Sequence, residues 1–265
     1  MLPLRTIAIV AAVALGPLAA RAEPPAGTPW KLVFRDEFDG KTADLDKTWD
    51  FQNAPSTHIL CSRWRENVVV ENGVCRLLNK KQNRGGQEWT SGSLWTKKQF
   101  KYGYFECRYK YGAASGLNNS FWIMTRGPER SEAPVRFEID INEGHFPCEI
   151  ATNIHRWSGK HVSFSRRFKL DNDPKYSVAS AQSDSRGKKI DLSRDFHVYG
   201  LEWNERELVY YFDGKELRRA PNEFCHGEAP VWLSSAIITW AGPVTDAIDG
   251  TSMDVDYVRV YQRPK

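Results

Sequence analysis

Phe196–Leu217 reads FHVYGLEWNERELVYYFDGKEL. Short alternating apolar runs are broken by turn residues, and Asp213-Gly214 is a dipeptide that closes tight β-hairpins. The same pattern recurs outward in both directions. Asn67–Asn79 (NVVVENGVCRLLN) has its own hairpin pair at Asn72-Gly73, Tyr102–Tyr111 (YGYFECRYKY) alternates, and Met253–Gln262 (MDVDYVRVYQ) reads as a closing strand. Apolar spacing at i, i+3, i+4, i+7 is almost absent after residue 22. Many short strands with scarce helix predict an all-β sandwich or jelly roll rather than a parallel α/β fold. No repeat, low-complexity tract or linker divides residues 23–265, so one domain is expected. Val178–Ile190 (VASAQSDSRGKKI) is polar enough to be a long exposed loop.

Residues 1–22, MLPLRTIAIVAAVALGPLAARA, carry an early charge at Arg5, an apolar run from Ile7 to Leu15, and Ala20-Arg21-Ala22 as a small-x-small cleavage site. They predict a signal peptide and export to the periplasm or the medium, with the mature chain starting near Glu23. The apolar run is too short to span a bilayer, so no stable membrane association is expected. The formal charge of the 265-residue chain is +4, falling to +2 without Arg5 and Arg21. That balance argues against a nucleic-acid partner, whose footprint is a strongly basic patch; a monomer is expected. Of the five cysteines, Cys107 alternates with Phe105 and Tyr109 on an inward face and reads as a buried thiol. Cys61, Cys148 and Cys225 lie near turn signals and are disulfide candidates, with no pairing assigned.

One strand carries an unusual load. RFEIDINEGH, Arg136–His145, puts Glu138, Asp140 and Glu143 into a segment whose Phe137, Ile139 and Ile141 favour a half-buried strand. Side chains at i and i+2 share a face, so Glu138 and Asp140 point together while Glu143 points oppositely on a regular strand. A single bulge at about Ile141 or Asn142 resets the alternation and brings Glu143 onto the same face. Two long acids flanking a third then suit retaining glycoside hydrolysis: one carboxylate attacks, one carboxylic acid protonates the leaving oxygen, and the third shares a proton with the nucleophile. A charged edge strand or a calcium loop is the alternative that the motif alone leaves open.

EIDINE resembles the bulged active-site motif of glycoside hydrolase family 16, as in laminarinases, agarases and carrageenases. The likeness extends through WKLVFRDEFDG, ENGVCRLLNKK, TSGSLWTKKQFKYGYFECRYKY, SFWIM and MDVDYVRVYQ, in the family's order. The resemblance implies a concanavalin A-like β-jelly roll of two curved antiparallel sheets over residues 23–265. It also implies Glu138 as nucleophile, Glu143 as general acid/base and Asp140 as assisting acid. No organic cofactor is implied. A structural calcium held by Glu37 and Asp256, in the blocks of the first and last strands, is a possibility that family members suggest.

The polysaccharide itself is less legible. Among ten tryptophans, Trp64, Trp157 and Trp240 sit at loop or strand-end positions and are candidates to line a cleft, whereas Trp122 and Trp203 fit strand alternation as core residues. His155, a hairpin's length past the acids, is expected to reach Glu143, with Asn153 on the same face; His145 follows the acids directly. GAASGLNNSFW has Asn118-Asn119 where laminarinase-like members often have a tryptophan–proline pair, which weakens a β-1,3-glucan assignment. Arg63, Arg65, Arg156, Arg166 and Arg167 are either ordinary solvated charges or the lining of a cleft for an anionic polymer such as a sulfated galactan. The expected activity is thus endo-hydrolysis of β-1,3 or β-1,4 linkages in a glucan or galactan. A transglycosylase and a non-catalytic carbohydrate-binding module are the rivals.

Overall fold

The structure is a computed structural model that describes residues 24–125, 135–171 and 190–264. The leader at 1–22 and all of the 178–190 stretch except Ile190 lie outside those residues. In chain order the first strands are β1 (Lys31–Asp36), β2 (Trp49–Phe51), β3 (Cys61–Arg63), β4 (Val68–Glu71), β5 (Val74–Leu78), β6 (Lys80–Arg84) and β7 (Gln87–Ser91). Next come β8 (Ser93–Thr96), β9 (Gly103–Lys110), β10 (Leu117–Met124), β11 (Phe137–His145), β12 (Glu149–Arg156), β13 (Val162–Ser163) and β14 (Arg166–Lys169). The last are β15 (His197–Trp203), β16 (Glu207–Phe212), β17 (Lys215–Pro221), β18 (Val231–Ile237) and β19 (Ser252–Gln262).

They build two eight-stranded antiparallel sheets. One runs β17-β16-β15-β9-β19-β5-β4, with β1 on β19; the other, the site sheet, runs β13-β12-β11-β10-β18-β8-β2, with β14 on β12. A small third sheet, β3-β7-β6, contains the parallel pair β3–β7. Strand alternation turns one face of each large sheet inward. Phe105, Cys107 and Tyr109 of β9 and Val258 and Val260 of β19 share one core with Phe121 and Ile123 of β10, Phe137 and Ile139 of β11 and Leu233 of β18. Burying each large apolar side chain of this kind contributes about 1.5–3 kcal/mol.

The hairpin signals hold. Asn72 and Gly73 have φ of 52° and 74°, and Asp213 and Gly214 have 46° and 76°, the paired positive values of type I′ turns. Cys107 is a buried thiol as expected. The disulfide expectation is corrected: Cys61, Cys148 and Cys225 are free and buried. Cys148 and Cys225 join the main core, and Cys61 a second apolar cluster. These thiols act as small apolar residues, and burial pushes those of Cys148 and Cys225 upward.

Candidate active site

The local chemistry of β11 decides which way its acids face. Phe137, Ile139 and Ile141 go into the core. On β10, the adjacent residues Phe121 and Trp122 pair with Asn142 and Asp140, skipping Ile141. On β12, Asn153 pairs with Asp140 and Ala151 with Glu143, so three residue steps on β11 match two on its neighbour. This is the single-residue bulge anticipated at Ile141 or Asn142. Ile141 and Asn142 both turn inward, and Glu143 returns to the face of Glu138 and Asp140. Along the unbulged neighbour the outer acids are two pleat repeats apart, about 13 Å between backbones.

An apolar core would reject a bare amide at position 142. Here Asn142 Nδ2 donates to Tyr109 Oη at 2.6 Å, on β9 of the opposite sheet, and to Tyr111 Oη at 2.8 Å, just past the end of β9. Gly144 makes room for this clamp, since a Cβ there would lie 2.3 Å from Tyr111 Cζ. The bulge is therefore fixed by side chains distant in sequence.

Around the acids, Trp157 Nε1 donates to Glu138 Oε2 at 2.8 Å, and Asn118 Nδ2 donates to Glu143 Oε1 at 2.8 Å. His155 Nε2 is 3.4 Å from Asp140 Oδ2. Burial raises both Glu138 and Asp140 well above the usual carboxylate range. For Glu138 the neighbouring Asp140 adds to the rise, while His155 and the Trp157 N–H oppose it. For Asp140 the charge of Glu143 adds to the rise, and a hydrogen bond with Glu138 opposes it. The pair thus retains a proton between them at pH values where isolated carboxyls have lost theirs. Glu138, Asp140 and His155 also offer ligand atoms within 4.8 Å of one another, compact enough for a metal ion.

Residues paired across strands share a face. From Asp140 the row continues through Trp122, Trp232 and Trp95 to Asp50 on β2. The three indoles stack with centroids 4.8 and 4.3 Å apart. From Glu143 a parallel row of hydroxyls runs through Ser120 and Ser234 to Ser93. Trp122 Nε1 ties the rows by donating to Ser234 Oγ at 3.1 Å.

The structure corrects two expectations. Trp122 lies on the site face beside the acids and outside the core, because the bulge pairs it with Asp140; Trp203 is core, as expected. His155 lies opposite Glu138 and near Asp140, not Glu143, because the β11–β12 register sets it at the other end of the acid row. Asn153 is opposite Asp140, with its Oδ1 accepting from Ile154 N and Ser163 Oγ. His145 Nδ1 is bonded to Glu149 Oε1 at 2.8 Å.

Trp64 donates to Ser62 Oγ beside the third sheet, and Arg84 covers its ring at 3.8 Å. Trp240 is 53% exposed in the turn Thr239–Ala241. Among the basic candidates, Arg65 binds Asp46, Thr42 O and Val68 O, so it braces the fold. Arg167 shares Ala151's face and lies 3.4 Å from Glu149. Arg63 is buried at the far end of the hydroxyl row, bonded to Ser235 O and Gln52 Oε1, with no carboxylate partner among the described residues.

Asn118, Trp95 and Trp232 escaped the sequence reading as site residues. The departure at Asn118-Asn119 marked the position of Asn118 without its partner. Glu37 and Asp256 do not fit a shared calcium: Arg259 holds Glu37 through two 2.8 Å bonds, and Arg108 holds Asp256 at 2.6 Å, putting cations where a metal would bind.

A family model described as the glycoside hydrolase family 16 domain of β-porphyranases A–D matches residues 30–263. The chain belongs to glycoside hydrolase family 16. It is 30% identical over 181 residues to the endo-1,3-1,4-β-glycanase EglC of Rhizobium meliloti (strain 1021), covering 66% of this chain and 34% of that protein. It is 26% identical over 280 residues to the κ-carrageenase of Pseudoalteromonas carrageenovora, covering 92% of this chain and 68% of that enzyme. The crystal structure of SCLam, a non-specific endo-β-1,3(4)-glucanase of the family, superposes with a TM-score of 0.72 at 28% identity, covering 91% and 95% of the two chains. The chain spans about a third of the length of EglC and 39% of a Niallia circulans glucan endo-1,3-β-glucosidase. The fold is the concanavalin A-like jelly roll of curved antiparallel sheets that this family uses.

Proposed function

We propose that this family 16 domain, taken as residues 23–265, is a retaining endo-glycosidase that hydrolyses β-1,3 or β-1,4 linkages within a β-glucan or galactan. The observation that carries the reading is the Ile141 bulge, which aligns Glu138, Asp140 and Glu143 on one face. Glu138 attacks the anomeric carbon once its shared proton rests on Asp140, while Glu143 protonates the departing glycosidic oxygen. The Asn118 bond to Oε1 leaves Oε2 of Glu143 to carry that proton. In the second step Glu143 takes a proton from water, which displaces Glu138 from the sugar. These proton and bond exchanges need no cofactor. A sugar hydroxyl in place of water makes the same site a transglycosylase.

A sulfated galactan is the second reading. It is supported by Arg63, a buried guanidinium at the end of the hydroxyl row with no acid beside it among the described residues, and by the porphyranase description of the matching family. A buried cation gains most from an anionic partner, here a sulfate ester. The leader sequence supports export, and no helix among the described residues is long and apolar enough to cross a membrane.

The test is release of new reducing ends from laminarin, mixed-linkage glucan, agarose, porphyran and carrageenan, with Glu138→Gln as control. Cleavage abolished by the substitution supports the chemistry and names the polymer. Binding without cleavage favours a carbohydrate-binding module instead.

A further inference from the structure

The turn between β12 and β13 carries His161, which no step above uses. Its Nε2 lies 2.9 Å from His155 Nδ1. Its ring stacks on Trp157 with centroids 4.3 Å apart and planes 8° from parallel. His155 and Trp157 are in turn the residues of the β12 side that reach the acid pair: His155 Nε2 faces Asp140 Oδ2 at 3.4 Å, and Trp157 Nε1 donates to Glu138 Oε2 at 2.8 Å. One exposed imidazole therefore touches both contacts to the acids from this side.

With Asp140 ionised, the hydrogen-bond geometry favours one pair of tautomers. Asp140 Oδ2 is buried and has no hydrogen-bond partner among the described residues, so an N–H aimed at it stabilises its charged form. With its proton on Nε2, His155 presents Nδ1 as an acceptor, and the donor facing that nitrogen is His161 Nε2–H. With the proton on Nδ1, a lone pair on His155 Nε2 would instead oppose Asp140 Oδ2, acceptor against acceptor.

We infer that His161 is a positioning residue: it locks the His155 tautomer with N–H toward Asp140 and braces the indole that donates to Glu138. The inference rests on Glu138 acting as nucleophile. It assigns a role in the reaction to a side chain on the surface of a turn. The titratable groups around His155 are Glu138 and Asp140 of β11, with Glu143 farther along, His161 of the turn, and Tyr210, whose hydroxyl bonds to Asn153 O from the opposite sheet.

Two variants separate the two contacts. His161→Phe keeps a flat ring for Trp157 and loses the nitrogen; His161→Gln keeps an N–H for His155 and loses the ring. Histidine nitrogen shifts and carboxyl-carbon titrations of Glu138 and Asp140 are recorded on each folded protein without substrate, and kcat/KM against pH on whichever polymer the wild type cleaves. In His161→Phe the expected results are a mixed His155 tautomer and a carboxyl titration moved upward by about one unit. The acid limb of kcat/KM should move the same way, with roughly tenfold lower activity near it. His161→Gln should return the tautomer and the limb to their wild-type positions. A His161→Phe protein with wild-type nitrogen shifts and carboxyl titration overturns the inference. A wild type that cleaves no polymer overturns the hydrolase reading, and the spectra still decide the brace.

Discussion

Glu143 and Glu138 have different jobs at equal distance from Asp140 in the row, and their surroundings tell them apart. Glu143 accepts one hydrogen bond from an uncharged amide, while Glu138 is locked to Asp140 and an indole. Glu143→Gln is expected to lower kcat on the polysaccharide about 10³-fold and to cost much less on an aryl glycoside whose leaving group needs no proton. Steady-state kinetics on the two substrates checks this.

Glu106, outside the site, makes a separate prediction. It is fully buried, Tyr261 Oη lies 3.4 Å from its Oε1 and Arg259 Nη1 3.6 Å, and Oε2 has no hydrogen-bond partner among the described residues. Burial raises it from 4.5 to about 7 despite Arg259. The folded state therefore holds a proton that the unfolded state releases, and stability falls as pH rises from about 4.5 to 7, by at most about 3 kcal/mol. Melting temperatures of Glu106→Gln at pH 5 and pH 8 should show that slope flattened.

At the level of elements, β11 depends on its bulge, and the bulge depends on Gly144. A methyl group there meets the Tyr111 ring at 2.3 Å, so Gly144→Ala should displace the tyrosine that holds Asn142. The expected cost is about 1–3 kcal/mol in denaturant unfolding, with activity falling further than stability because Glu143 shifts with the bulge. Deleting Ile141 tests the parity directly. It leaves Glu138, Asp140 and Glu143 at even spacing, so plain alternation should keep all three on the site face, and the variant should retain part of its activity in reducing-end assays while losing stability with the buried isoleucine. The indole row is also a property of elements: Trp122, Trp232 and Trp95 come from three strands and stack because β10, β18 and β8 are neighbours.

Over the whole molecule, ion pairs close the face where family resemblance suggested calcium. Arg259 with Glu37 and Arg108 with Asp256 tie β9, β19 and the segment after β1. Chelator or added calcium should move the melting temperature by less than about 1 °C, since a ligand that does not bind the folded state shifts nothing.

The sequence by itself determined the strands, the hairpins at Asn72-Gly73 and Asp213-Gly214, the three acids and the need for a bulge among them. Each of these is local: alternation, positive-φ turn residues and the parity of a five-residue spacing are fixed within one strand or turn. Only the tertiary structure decided that Trp122 belongs to the site, that His155 serves Asp140, that Asn118 holds Glu143, that Arg63 is buried with no acid beside it among the described residues, and that the cysteines stay apart. Those outcomes depend on which strands adjoin and in what register. Pairings between residues far apart in the chain are set by the packing of two whole sheets, and no short stretch of sequence contains that information.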